Sequence, residues 1–100
     1  MLYAIIAEDL PNSLANRLAA RPEHLQRLQN LQEQGRLVLA GPCPAIDAEN
    51  PGDAGFSGSL IVAEFPCLAD AQTWSAADPY IAAGVYDRVN IKPFKLVFPQ

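Results

Sequence analysis

Three short segments of this 100-residue chain, Leu2 to Ala7, Leu37 to Ala40 and Ser59 to Phe65, are apolar almost without interruption. A strand with one face in water alternates apolar and polar residues, whereas a strand covered on both faces does not. The three runs therefore demand cover on both sides of a sheet, from a chain with few other elements to supply it.

Those elements can be read from their punctuation. Ser13 can cap a short helix with Leu14 and Leu18 as its apolar pair, closing before Arg21-Pro22. Pro22 then opens a second helix, which carries a Leu25, Leu28, Leu31 stripe to Gln34 and ends at Gly35, a left-handed cap. The Gly41-Pro42-Cys43-Pro44 segment is expected to stop the second strand, because proline cannot donate to a ladder. A turn-rich connection fills Asp47 to Gly58. Its three glycines neither follow a strand nor open a helix, so they do not make a phosphate loop. Leu68 to Ala77 reads as helix with Ala71, Trp74 and Ser75 inward, ended by Asp78-Pro79. Val85 to Phe98 is the last strand. Its apolar positions change phase from Val89 and Ile91 to Phe94, Leu96 and Phe98, which predicts a bend at Lys92-Pro93 flanked by solubilising lysines.

The order strand, helix, strand, strand, helix, strand is that of the split β-α-β, or ferredoxin-like, α+β fold, an antiparallel sheet with helices on one face. Nothing else in the chain can cover the second face. A second copy packing sheet against sheet is the economical answer, giving a homodimeric α+β barrel. Residues 1–100 make a single domain at this length.

Composition excludes several classes of function. Half of the residues are hydrophobic, enough for a core, while seven Lys and Arg against eleven Asp and Glu leave a net charge of −4 and no basic patch for nucleic acid. The apolar start meets Glu8-Asp9 too soon for a leader or a membrane span, so the chain is expected to be cytoplasmic. Cys43 and Cys67 lack CxxC spacing and are expected to stay free. One histidine without a thiolate cluster does not make a zinc site, and no cofactor is expected.

That histidine, His24, falls inside the leucine stripe, with Leu28 one turn on and Leu31 two turns on, so its ring is expected to face the sheet. With Pro22 as the first helical residue it would lie in the first turn, where the helix dipole disfavours an imidazolium. Two readings stand open: a general base, or a hydrogen-bonded histidine in a helix–sheet seam. Asp78 is either an inward-leaning acid or the cap of the helical turn that Pro79 begins, and the two roles can coexist. Arg17 and Arg21, four residues apart ahead of His24, offer a carboxylate site or a solvated face. Trp74, Tyr80 and Tyr86 are core or pocket-wall aromatics, with stacking on a planar ligand as the alternative. Ser59 opens a strand with a hydroxyl and has no GxSxG elbow around it.

As a set, the opening Met-Leu-Tyr strand, Arg21-Pro22-Glu23-His24-Leu25, Gly35-Arg36-Leu37, Ala40-Gly41-Pro42, Gly55-Phe56-Ser57-Gly58-Ser59, Ala77-Asp78-Pro79-Tyr80 and Lys92-Pro93-Phe94 resemble the YciI-like, or YCII-related, family of the dimeric α+β barrel superfamily. The resemblance covers almost the whole chain. It implies a site formed by a histidine and an aspartate, here His24 and Asp78; beside it, Arg21, Ser59 and Tyr80 are the expected substrate contacts. Relatives in the wider superfamily include muconolactone isomerase and a dehydrochlorinase of chlorinated hydroxyquinols. The implied chemistry is isomerase, lyase or dehydrohalogenase proton transfer on a small cyclic or acidic compound. The alternatives are a non-catalytic small-ligand-binding module and a dimerisation module.

Overall fold

A computed structural model describes residues 1–100. The chain forms β1 (Leu2–Asp9), α1 (Leu14–Glu33), β2 (Leu37–Pro44), β3 (Phe56–Glu64), α2 (Leu68–Ala76), the single turn α3 (Pro79–Ala82) and β4 (Tyr86–Phe94). The four strands make one antiparallel sheet in the order β2-β3-β1-β4. This is the ferredoxin-like α+β arrangement, with the helices on one side of the sheet.

The alternation of β1 defines the two faces. Tyr3, Ile5 and Ala7 are buried toward the helices. There Tyr3 and Ile5 meet Ile61, Ala63, Phe65, Leu31 and Ala71 in the main core, and Ala7 joins Tyr80, Val85 and Tyr86 in a smaller cluster. Leu2, Ala4, Ile6 and Glu8 point the other way. Residues opposite one another share a face, so Leu60, Val62, Lys92 and Phe94 lie on that open side too. Apolar residues thus occupy both faces of β1 and β3, which is why these strands show no alternation.

Three proline-based expectations are overturned. Pro22 does not start a helix: α1 is one continuous 20-residue helix with Pro22 inside it. A helix-interior proline costs about 3 kcal/mol and leaves the carbonyl four residues back without its donor. Here both Pro22 and Leu18 face water, where that carbonyl can be solvated. Buried Arg17 on one side of Pro22 and His24 and Leu31 on the other hold the helix to the sheet through the break. The inward residue of the first turns is accordingly Arg17, while Leu18 is 57% exposed. Ser13 occupies the cap position without making a side-chain capping bond. The helix does end as expected: Gly35 adopts φ 71°, and the Gly35 and Arg36 amides donate to the Gln32 and Leu31 carbonyls.

Nor do Pro42 and Pro44 stop β2, which runs on to Pro44 because it is an edge strand paired only with β3, and the missing donors can face outward. Pro93 makes no bend either. Pro93 pairs with Tyr3 and Phe94 with Leu2 in unbroken register, and the irregularity lies between Glu8 and Asp9 instead. The change of apolar phase in β4 therefore records a change of face, from Val89 and Ile91 against the helices to Phe94 on the open side. The strand ends at Phe94 rather than Phe98.

Pro22→Ala restores the missing donor and removes the steric clash, so it is expected to stabilise the protein by roughly 1–3 kcal/mol. Guanidinium unfolding at constant m-value checks this, and a midpoint lowered by the substitution would contradict it. Cys43 and Cys67 are both exposed free thiols. No helix is long and apolar enough to cross a membrane.

Candidate functional site

His24 lies in the middle of α1 rather than in a first turn, so the helix dipole, which fades within one turn of the terminus, does not act on it. Its ring is buried, at 6% exposure. Asp78 caps α3 at the far end of the α2–α3 corner and is 3% exposed. Nδ1 of His24 lies 3.0 Å from one Asp78 oxygen and 2.9 Å from the other. An ionised carboxylate only accepts, so Nδ1–H donates and the Nε2 lone pair is left free. The Tyr80 backbone amide donates to Asp78 Oδ1 at 2.9 Å. Capping and contact with histidine thus coexist in one carboxylate.

Two further residues hold the pair in place. The Tyr80 ring stacks on His24 with centroids 4.0 Å apart and planes 11° from parallel. Arg27, one turn on from His24, lies over Trp74 at 4.4 Å and brings Nη1 to 4.0 Å from Asp78 Oδ2. Burial lowers the Arg27 pKa below its ordinary value, with attraction to Asp78 partly offsetting the loss.

Beside the pair lies a second buried ionic contact. Arg17 donates from Nε and Nη2 to the two oxygens of Asp9, both at 2.9 Å, with side chains only 5% and 2% exposed. Nη2 also reaches the Gly58 carbonyl at 3.2 Å and Ser59 Oγ at 3.0 Å. Burial works against the Arg17 charge, but the hydrogen bond and attraction of Asp9 outweigh it and raise the pKa. Gly58 is required here, because a side chain would fall on the Ala7 carbonyl of the neighbouring strand.

A cavity of about 180 Å³ brings His24, Arg21, Ser59 and Tyr80 together, closed by Leu25 and Leu28 of α1 and by Ala40 to Pro42 of β2. Asp78 is not among its lining residues and stands behind the imidazole. Ser59 accepts from Arg17 and makes no hydrogen bond to His24, so no nucleophile–base pair forms. A larger depression of about 560 Å³ lies between α1 and β2, but its leucine, valine and glutamine walls offer no ionisable group. Of the two, only the smaller is lined by ionisable side chains. No group of three His, Cys, Asp or Glu side chains comes close enough to hold a metal ion.

Asp9 and Arg27 belong to this region without being singled out by the sequence, and Tyr86, expected as a core or pocket-wall aromatic, is a core residue beside it. The spacing of Arg17, His24 and Leu31, seven residues apart each time, marks one helix face and would have turned Arg17 inward. Nothing in the sequence pairs it with Asp9 at a strand end.

Burial raises the Tyr80 and Tyr86 phenols above their ordinary value of about 10, so neither supplies a base near neutrality. Above pH 10 the unfolded chain releases these protons while the folded protein keeps them. Stability is therefore intact below pH 10 and falls as pH rises through the folded-state values. Tyr86 Oη is buried with no hydrogen bond of ordinary length, although Ser59 lies close enough to act on it. Tyr86→Phe should accordingly leave stability at pH 7 unchanged or raise it by about 1 kcal/mol, and should flatten the alkaline decline. Melting curves from pH 7 to 11 test both effects, and a marked loss at pH 7 would show that the hydroxyl is bonded.

The model of the YCII-related domain matches residues 1–95. Protein YciI of Escherichia coli O6:H1 is 58% identical over 98 residues, which is 98% of this chain and 100% of that protein. An uncharacterized protein of Haemophilus influenzae is 56% identical over the same extent. Among solved structures, 5-chloro-2-hydroxyhydroquinone dehydrochlorinase from Burkholderia phenoliruptrix AC1100, in complex with 2,5-dihydroxybenzoquinone, superposes with a TM-score of 0.82 at 24% identity, covering 95% of this chain and 94% of its own.

Proposed function

The chain belongs to the YCII-related family, and from that premise we propose that it is a small enzyme in which His24, oriented by Asp78, transfers a proton to or from a small cyclic or acidic organic compound. The observation that carries this reading is the bifurcated contact of Nδ1 with both Asp78 oxygens, because it fixes the tautomer and leaves Nε2 as the basic atom of a ring that lines the cavity. His24 is then the catalytic residue and Asp78 the positioning residue.

Two steps suit this arrangement. Nε2 takes a proton from carbon next to a carbonyl, giving an enolate and an imidazolium held by Asp78. In an isomerisation the imidazolium returns that proton to a different carbon. In an elimination the electron pair of the broken C–H bond forms the new double bond and a halide leaves with its own bonding pair. Arg21, Ser59 and Tyr80 line the cavity as substrate contacts. The dehydrochlorinase neighbour supports a cyclic, oxygenated substrate through its fold and its bound quinone.

The test is a screen of chlorinated hydroxyquinols, hydroxyquinones and small lactones, read by halide release and by solvent-deuterium incorporation. Turnover or exchange in wild type, lost in His24→Ala, supports the reading. Saturable binding of such compounds with neither exchange nor turnover would replace it with that of a binding module.

The open sheet face is the proposed seat of a second copy. Ile6, Leu60 and Phe94 are 41%, 36% and 38% exposed there, within a rim that includes the Glu8–Arg88 ion pair and Lys92. Light scattering at micromolar concentration is expected to give twice 10.8 kDa, and Ile6→Lys to shift it toward the monomer. A wild-type protein that stays monomeric throughout would overturn the sheet-to-sheet pairing.

A further inference from the structure

We infer that the cavity takes a monoanion, whose charge is matched by Arg21 beside the Ser59 hydroxyl, the charge of Arg17 being already matched by Asp9. This deepens the reading of the cavity as a substrate site and rests on it.

The charges around the cavity lead there. Arg17 is neutralised by Asp9 at 2.9 Å, and Asp78 is shared by His24 and, at 4.0 Å, by Arg27. Arg21 makes no hydrogen bond or ion pair, yet it lines the cavity and lies close enough to Tyr80 to act on the phenol. None of the eleven lining residues is a carboxylate. An otherwise acidic chain of net charge −4 therefore presents an uncompensated cation in the wall of the cavity that His24 lines.

Hydrogen-bond direction supplies the second half. A guanidinium can only donate, so Ser59 Oγ accepts from Arg17 Nη2 at 3.0 Å and its own proton must point elsewhere. Ser59 lines the cavity and also neighbours the Tyr86 phenol, so a bound oxygen competes with that phenol for its proton. Arg17 spends its charge on Asp9 through Nε and Nη2, so its remaining Nη1 can add a hydrogen bond to a bound oxygen but no net charge. One cation and one hydroxyl donor match one carboxylate or enolate, and a cavity of about 180 Å³ holds a single six-membered ring. A dianion would leave a charge unmatched.

His24 is the chain's only histidine and gives a unique reporter. Its ring resonances are followed by NMR while benzoate, the neutral isostere benzamide and the dianion phthalate are added to the full-length protein. Benzoate is expected to bind about tenfold or more tightly than benzamide and more tightly than phthalate, and to weaken with salt. Arg21→Gln should remove the preference for benzoate over benzamide, and Arg21→Lys should keep part of it. Ser59→Ala should weaken benzoate several-fold. Equal binding of benzoate and benzamide, an unchanged preference in Arg21→Gln, or no movement of His24 with any probe would overturn the proposal. Catalysis by the pair is judged separately: a His24→Ala protein that still prefers benzoate, read by calorimetry, supports the anion site even where no turnover is found.

Discussion

His24→Ala is expected to slow turnover by roughly 10²–10⁴-fold, the usual contribution of a positioned general base. Folding should be little affected. Asp78 keeps the Tyr80 amide as a donor and Arg27 at 4.0 Å, so removing the ring does not strand the carboxylate. Asp78→Asn separates the two roles of that residue. The amide oxygen can still cap α3, so stability should hold. It no longer carries the charge that selects the Nδ1–H tautomer and steadies the imidazolium, so the rate should fall by a factor comparable to the loss of His24. Asp78→Ala removes the cap as well and should cost about 1 kcal/mol more, a shift of about 4–8 °C in melting temperature for a domain of this size. Turnover measured beside melting curves for the three variants decides the matter, and wild-type rates in Asp78→Asn would eliminate the orienting role.

Arg17→Met should destabilise the protein by about 3–5 kcal/mol, the cost of leaving a buried carboxylate without its partner. The loss is expected to be large because Asp9 is 2% exposed, and the same guanidinium also satisfies the Gly58 carbonyl and Ser59. The pair need not be a net source of stability over apolar residues of similar size. Arg17→Met combined with Asp9→Leu should therefore recover much of what the single change loses. Urea unfolding of the two single variants and the double measures the coupling, and a loss below about 1 kcal/mol in Arg17→Met would mean that water reaches Asp9.

The element order and the two-faced strands were legible in the sequence because local apolar runs decide them. So was the inward turn of His24, set by its spacing from Leu31. Prolines were the consistent source of error, since the rule against Pro22, Pro42 or Pro93 inside an element assumes that the lost donor was needed. At the outer face of α1, and along the edge strand β2, water can take its place. The partner of Arg17 was hidden for another reason. Asp9 reads as the polar end of a strand, and only the crossing of β1 against α1 brings it under the guanidinium. Asp78 was visible as a cap from Asp-Pro alone, but its distance from His24 depends on the packing of α3 against α1.

The cavity has walls of different origin. Arg21, His24, Leu25 and Leu28 belong to α1, while Ala40 to Pro42, Ser59 and Ile61 belong to the sheet. A molecule lodged there ties helix to sheet across the stretch where Pro22 removes one backbone bond. Opening of that stretch should then be rarer in the occupied protein. Hydrogen exchange in α1 near Pro22 should slow with occupancy by the factor 1 + [L]/Kd, as should any amide freed only by whole-molecule unfolding, while amides freed by local openings that keep the ligand bound hold their rate. The interrupted helix thus makes the slow exchange of a few amides a gauge of how full the cavity is.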